Sequence, residues 1–140
     1  MESSRYVWRN GIAPLLSSQQ LEALRVALVY DDPRLIQGGT TSPRPIQCME
    51  DWPVEGACAL GYCGWQAEGL VTVGQVEEFF GRLCAAIDDR LGEPHVCRYF
   101  ITWFDDTPRT EMRRWLLCEV QRELALRLLD EGDSPRPLAG

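Results

Sequence analysis

The sequence predicts an α+β domain in which a small sheet of three to four short strands packs against three helices. Three observations support this class. Three segments carry helix start signals followed by apolar residues at helical spacing. Short stretches rich in β-branched, aromatic or small apolar residues lie between them. The long irregular segment 31–56 does not fit the regular alternation that a doubly wound sheet requires.

Two of the predicted helices begin with a capping box, in which two side chains satisfy free backbone N–H groups. The first box pairs Ser17 with Gln20, and the second pairs Thr72 with Gln75. The apolar face of the first helix consists of Leu21, Leu24 and Leu28. The apolar face of the second consists of Val76, Phe79, Phe80, Leu83, Cys84, Ile87 and Leu91. Gly92 follows this second run and is expected to end the helix.

The third predicted helix starts with Thr107 as N-cap and Pro108 in the first turn, and it runs to about Leu129. Its apolar positions are Met112, Trp115, Leu116, Val120, Leu124 and Leu128. Because they spread widely around the helix axis, we expect burial on more than one side, against the domain or against a partner.

Four stretches are interpreted as strands because of their residue types. They are Arg5–Arg9, Ile46–Met49, Ala57–Trp65 and His95–Phe104. In the last stretch, Cys97, Tyr99, Ile101 and Trp103 alternate with more polar residues, which is the period of a strand with one buried face.

Length and composition indicate one globular domain over residues 1–130, followed by a flexible polar tail at 131–140. The net charge of the 140 residues is −7, and residues 48–100 hold three arginines against nine acids. An acidic domain without a basic stripe is a poor candidate for direct binding to nucleic acid or to an anionic membrane. We expect no cofactor. The six cysteines and the absence of a signal-peptide pattern favour the cytoplasm, where thiols stay reduced.

The cysteines raise the question of a metal site or a reactive thiol. Cys58 and Cys63 have a spacing at the edge of the zinc-knuckle range, and His95 with Cys97 would complete a set of four ligands. A regular strand would point Cys58 and Cys63 to opposite faces, which argues against this site. A catalytic thiol needs a base, and His95 is the one histidine of the chain.

A binding surface is the interpretation we favour. Trp52 lies in a loop among acids and a proline, and Arg109, Arg113 and Arg114 lie in the first turns of the last helix. Tryptophan and arginine are enriched among the anchors of protein interfaces. Cations near a helix N-terminus also oppose the helix dipole, and a broken local rule can indicate function.

The sequence therefore predicts a small, acidic, cytoplasmic protein-binding module without catalytic activity, such as an inhibitor, immunity, adaptor or assembly subunit. Its partner is expected to be another protein or a second copy of the chain in a homodimer. One alternative is a thiol- or metal-dependent enzyme that uses Cys58, Cys63, His95 and Cys97. A second alternative is an acidic mimic of nucleic acid, since residues 48–100 carry most of the negative charge.

Overall fold

A computed structural model describes residues 2–133, and in this range the chain forms six α-helices and one two-stranded sheet. The helices are α1 (Glu2–Val7), α2 (Ser18–Tyr30), α3 (Ala59–Ala67), α4 (Val73–Leu91), α5 (Arg98–Asp106) and α6 (Arg109–Asp133). The strands are β1 (Thr41–Ser42) and β2 (Gly56–Ala57). A π-helical turn, Trp8–Ile12, and a 3₁₀ turn, Ala13–Leu15, continue α1.

The α+β class is therefore met only in part. The protein is 69% helical, and the sheet has two strands where three to four were expected. The strands run antiparallel, with Thr41 opposite Ala57 and Ser42 opposite Gly56. Helices, rather than a sheet, supply the core: α2 packs against α3 and α6, α3 packs against α4, and α1 packs against α5.

Both capping boxes are confirmed. The Ser17 hydroxyl accepts a hydrogen bond from the backbone N–H of Gln20, and the Gln20 side chain accepts one from the backbone N–H of Ser17. Thr72 and Gln75 form the same reciprocal pair at the start of α4. Gly92 ends α4 in the left-handed conformation, with φ of 71°. These signals are local, so sequence is sufficient to find them.

The segment Ala57–Trp65 is a helix over most of its length, and the predicted strand is wrong. Only Gly56–Ala57 pairs in the sheet. Cys58 is extended, and its sulfur accepts a hydrogen bond from the N–H of Gly61, so that it caps α3. The small residues that resembled a strand core instead let helices approach closely. A Cβ atom on Gly64 would lie 2.5 Å from the Phe79 ring of α4.

The predicted strand His95–Phe104 is likewise a helix, α5. Among the buried side chains, Val96, Phe100 and Phe104 recur every four residues beside the buried Cys97, whereas Tyr99 is exposed. Both carboxylate oxygens of Asp88 accept backbone N–H groups before α5, from His95 and Cys97. Packing of one helical face against α1 therefore overrides the β propensity of the individual residues.

Three smaller expectations are also corrected. Arg5–Arg9 belongs to α1 and the π-helical turn. The adjacent Val7 and Trp8 are both buried, whereas a strand would point them to opposite faces. Ile46–Met49 begins within a 3₁₀ turn, Pro45–Gln47. Thr107 does not start α6 with its side chain; its hydroxyl donates to the Trp103 carbonyl at the end of α5.

The last helix, α6, continues to Asp133, and the remainder of the predicted tail, residues 134–140, lies outside the described residues. Between residues 2 and 133, no helix combines the length and the apolar character needed to cross a membrane.

Candidate functional site

The arginines at the start of α6 contact the end of α2. Arg109 donates to the Asp31 carboxylate at 2.7 Å and to the Asp32 carbonyl at 3.0 Å. Arg113 donates to the carbonyls of Leu28 and Val29 at 3.0 and 3.2 Å. The last carbonyls of a helix carry partial negative charge and lack partners within the helix. The arginines that oppose the dipole of α6 therefore stabilise the C-terminus of α2.

This junction also fixes the charge of two aspartates. The hydrogen bond from Arg109 lowers the pKa of Asp31 below its ordinary value. The Arg34 guanidinium lowers the pKa of Asp32 to about 2, although partial burial acts in the opposite direction. Both groups are therefore carboxylates at neutral pH, and their arginine partners are engaged within the chain. Arg114, one residue beyond Arg113, is exposed.

Trp52 lies on a different part of the structure, in a turn that rests against the N-terminus of α4. The N–H of Trp52 donates to the Met49 carbonyl at 3.1 Å, and its carbonyl accepts the N–H of Val73 at 2.9 Å. The N–H of Gly74 donates to the Glu50 carbonyl at 2.9 Å. Gly74 suits this close approach, because a Cβ atom at this position would lie 3.0 Å from Cβ of Glu50. The turn is thus held by backbone bonds rather than by its side chains.

The apolar side chains of this region point outward. Ile46 is 90% exposed, Met49 66%, Val71 60% and Trp52 47%. We call these four residues the loop face. A groove of about 660 Å³ is lined by residues of the turn and of the first two turns of α4. Each member of the loop face is next in the chain to a residue that lines this groove. Ile46 follows Pro45, Met49 precedes Glu50, Trp52 follows Asp51, and Val71 precedes Thr72.

The groove is acidic. Its lining includes four carboxylates, Glu50, Asp51, Glu77 and Glu78, and no cationic side chain. Glu77 accepts a hydrogen bond from the buried Thr41 hydroxyl at 2.8 Å. Within residues 2–133, Glu78 forms an ion pair with Arg82 at 3.9 Å, and both side chains are about 70% exposed. Such a pair is weak in water. We call this feature the acidic groove.

Trp52 and the three arginines were expected to form one binding patch. Within residues 2–133, no hydrogen bond, ion pair or ring contact joins Trp52 to Arg109, Arg113 or Arg114. Ile46 and Met49 were not anticipated as surface residues, because their segment resembled a strand. The signal that could have found them is Pro45, together with the acidic pair after Met49, which favours an exposed turn.

The four residues proposed for a thiol- or metal-dependent enzyme have different structural surroundings. Cys58 caps α3, and Cys63 lies within α3 and donates to the Ala59 carbonyl at 3.3 Å. His95 is exposed in a turn with φ of 62°, and Cys97 is buried at the start of α5. The part of the chain described here contains no group of three or more His, Cys, Asp or Glu side chains in an arrangement suited to a metal ion.

Burial also makes these thiols poor nucleophiles. Removal from water raises the pKa of Cys58 to about 12 and raises the pKa of Cys63 further. Cys97 contacts the thiol of Cys84, and burial raises the pKa of both. A thiol reacts as its thiolate, so a raised pKa disfavours the reactive form at neutral pH. The arrangement supports packing rather than chemistry at these positions.

The sequence matches no protein-family model, and neither a curated protein nor a solved structure shows a significant similarity to it.

Proposed function

We propose that this protein is a cytoplasmic, non-catalytic protein-binding module that engages its partner through the loop face. The observation that carries the proposal is that four exposed apolar residues, Ile46, Met49, Trp52 and Val71, each adjoin along the chain a residue that lines one groove. Single exposed apolar residues are ordinary, whereas neighbouring ones beside a concave surface are typical of interaction sites. Trp and Met are also enriched in interfaces.

The way the turn is held supports the same function. Three backbone hydrogen bonds tie Glu50, Trp52 and Val54 to the segment Val71–Gly74. A surface already fixed in its binding shape loses little conformational entropy when a partner binds. The loop face therefore combines exposed anchors with a rigid support, which is the arrangement expected of a binding site.

The contribution predicted for the arginines is narrower. Arg109 and Arg113 are engaged with α2, so the proposed surface rests on Trp52 and its neighbours. Arg114 is exposed and remains a predicted contact. The buried thiols give the enzyme alternative little support. The mimic of nucleic acid has less support than a protein-binding module, because its phosphate-like charges would not need an apolar rim.

A selection from a random twelve-residue peptide library, unbiased in charge, tests the proposal. Peptides selected on the wild-type protein are expected to converge on a shared pattern and to bind at least tenfold more weakly to the variant I46S/M49S/W52S. The control Y6S/Y99S removes two other exposed aromatic side chains, on α1 and α5, and should leave binding unchanged. Convergent peptides that are indifferent to the loop substitutions would contradict the proposal. Arg114→Glu in the same assay tests the remaining predicted contact.

Self-association is the second candidate, and α6 favours it. Its last turns expose Leu126, Leu128 and Leu129, and symmetric dimers commonly bury such a face. Sedimentation equilibrium of the full chain tests this candidate. A dimer that dissociates in L128S/L129S would assign self-association to α6, and a monomer at all concentrations would remove it.

A further inference from the structure

The charges around the loop face indicate what kind of partner fits it. Four acidic residues line the acidic groove, and each apolar anchor is next in the chain to a residue of that lining. Glu50 and Asp51 approach from the turn, while Glu77 and Glu78 approach from α4. Like charges around one groove repel one another, and the exposed pair of Glu78 with Arg82 offsets this little, so a positively charged ligand is favoured. Resting on the proposed function, we infer that the occupant is a segment of a partner protein that combines arginine or lysine with apolar residues.

Each part of such a segment has a counterpart in the groove. The apolar side chains would cover Ile46, Met49 and Trp52, and the cationic groups would reach the carboxylates between them. Arginine suits these carboxylates especially well, because its planar guanidinium can donate two parallel hydrogen bonds to one carboxylate. An acidic or purely apolar segment would leave the four charges desolvated without compensation, which is costly.

The rest of the molecule strengthens this preference. Residues 48–100 are the most acidic third of the chain, with three arginines against nine acids, so the long-range field also attracts cations. Two arginines close to this lining along the chain, Arg44 and Arg82, neutralise it little. Arg44 donates to the Gly38 carbonyl, and Arg82 is about 70% exposed beside Glu78.

Two synthetic twelve-residue peptides test the inference. They share leucine and phenylalanine at the same alternate positions, and the other positions are arginine in one peptide and glutamate in the other. Fluorescence anisotropy with the full-length protein is expected to show binding of the arginine peptide and at least tenfold weaker binding of the glutamate peptide. The affinity for the arginine peptide should fall between 50 and 300 mM salt, because salt screens the attraction.

Charge reversal separates the groove from the overall charge. E50R/D51R is expected to weaken the arginine peptide at least tenfold and to strengthen the glutamate peptide. The control D89R/E93R makes the same change in net charge at two exposed residues near the end of α4, and it should change either affinity by less than threefold. Equal losses in the two variants would mean that the peptide responds to net charge alone, and the inference would be wrong.

The failures are distinguishable. If the library selection returns peptides that depend on the loop face but are neutral or acidic, the partner chemistry is wrong and the binding function stands. If no selected peptide depends on the loop face, both are wrong. A dimer that dissociates in I46S/M49S/W52S would show that the occupant is a second copy of the chain, which also overturns the inference.

Discussion

Arginine side chains make most of the long-range side-chain hydrogen bonds in the described part of the chain. Arg9 forms a paired contact with the buried carboxylate of Glu119, with nitrogen–oxygen distances of 2.6 and 3.0 Å. Arg127 reaches from α6 to the carbonyls of Ala13 and Leu16. The guanidinium group has several donors in a fixed plane, so one side chain can satisfy two acceptors. The absence of lysine from the sequence is consistent with this use of the cations.

Asp32 makes the stability of the protein depend on pH. Its carboxylate accepts bonds from the guanidinium and backbone N–H of Arg34 and from the Tyr62 hydroxyl. The pKa of Asp32 is about 2 in the folded protein against 3.8 ordinarily, so its contribution is present above pH 3.8 and is lost as pH falls toward 2. Because Arg34 is half exposed, we expect a contribution of about 1 kcal/mol.

Urea unfolding between pH 6 and pH 2.5 measures this contribution. The free energy of unfolding should fall less steeply with acidification in Asp32→Asn than in the wild type. Asp89→Asn, at an exposed position, should follow the wild-type curve. Parallel curves for the wild type and Asp32→Asn would show that Asp32 is not stabilised by its partners in the folded state.

At the scale of elements, the junction between α2 and α6 turns an unfavourable local feature into a favourable contact. Arginines in the first turns of α6 are unfavourable for that helix alone. Placed against the last carbonyls of α2, they satisfy acceptors that would otherwise lack partners. The sequence showed that these arginines are unfavourably placed but did not explain them, because the carbonyls that they bind lie about 80 residues away along the chain.

Arg113→Ala tests this role. The substitution leaves the Leu28 carbonyl, which is partly buried, without its charged donor, and we expect a loss of about 1–2 kcal/mol in the free energy of unfolding. The neighbouring Arg114→Ala is the control, and it should cost less than about 0.5 kcal/mol because Arg114 is exposed. Equal costs would mean that Arg113 does not stabilise α2.

Two helical glycines provide a second test, on packing between α3 and α4. A methyl group at Gly64 would collide with the ring of Phe79, so Gly64→Ala should cost about 1–3 kcal/mol. Gly81 lies in α4 with no atom within 4 Å of an added Cβ, so Gly81→Ala should stabilise by about 0.5–1 kcal/mol. Thermal unfolding of both variants measures the two changes, and destabilisation by Gly81→Ala or a neutral Gly64→Ala would contradict the packing described.

The helices that carry local signals could be predicted, and the elements decided by packing could not. The starts of α2 and α4 and the end of α4 are specified by capping residues within a few positions. By contrast, α3 and α5 consist of residue types that are compatible with strands. Their helical form depends on neighbours such as Phe79 for α3 and α1 for α5, which sequence alone does not place.

The candidate site, too, could be predicted from the sequence only in part. Trp52 was singled out from its residue type and its loop context, and it is half exposed. The groove beside it could not be predicted, because it forms between a turn at residues 49–52 and the start of α4, brought together by backbone bonds to Val73 and Gly74. Such a contact leaves no pattern in the spacing of side chains.

For the whole molecule, charge and apolar exposure coincide at the acidic groove. The chain carries a net charge of −7, and four of its acids line a groove whose lining adjoins the exposed Ile46, Met49 and Trp52 along the chain. Charge promotes encounter with a cationic partner, and the apolar anchors hold the complex once it forms. We therefore expect the acidic groove and the loop face together to determine both the affinity for the partner and the choice of partner.

The most direct test of this central claim is a map of the binding surface by NMR. Amide chemical shifts of the ¹⁵N-labelled full-length protein would be followed during titration with the arginine peptide. We expect the perturbed amides to lie in residues 45–52 and 71–78, and we expect E50R/D51R to abolish the perturbations. Perturbations confined to α2 and α6, or spread evenly over acidic surfaces including Asp89 and Glu93, would contradict it.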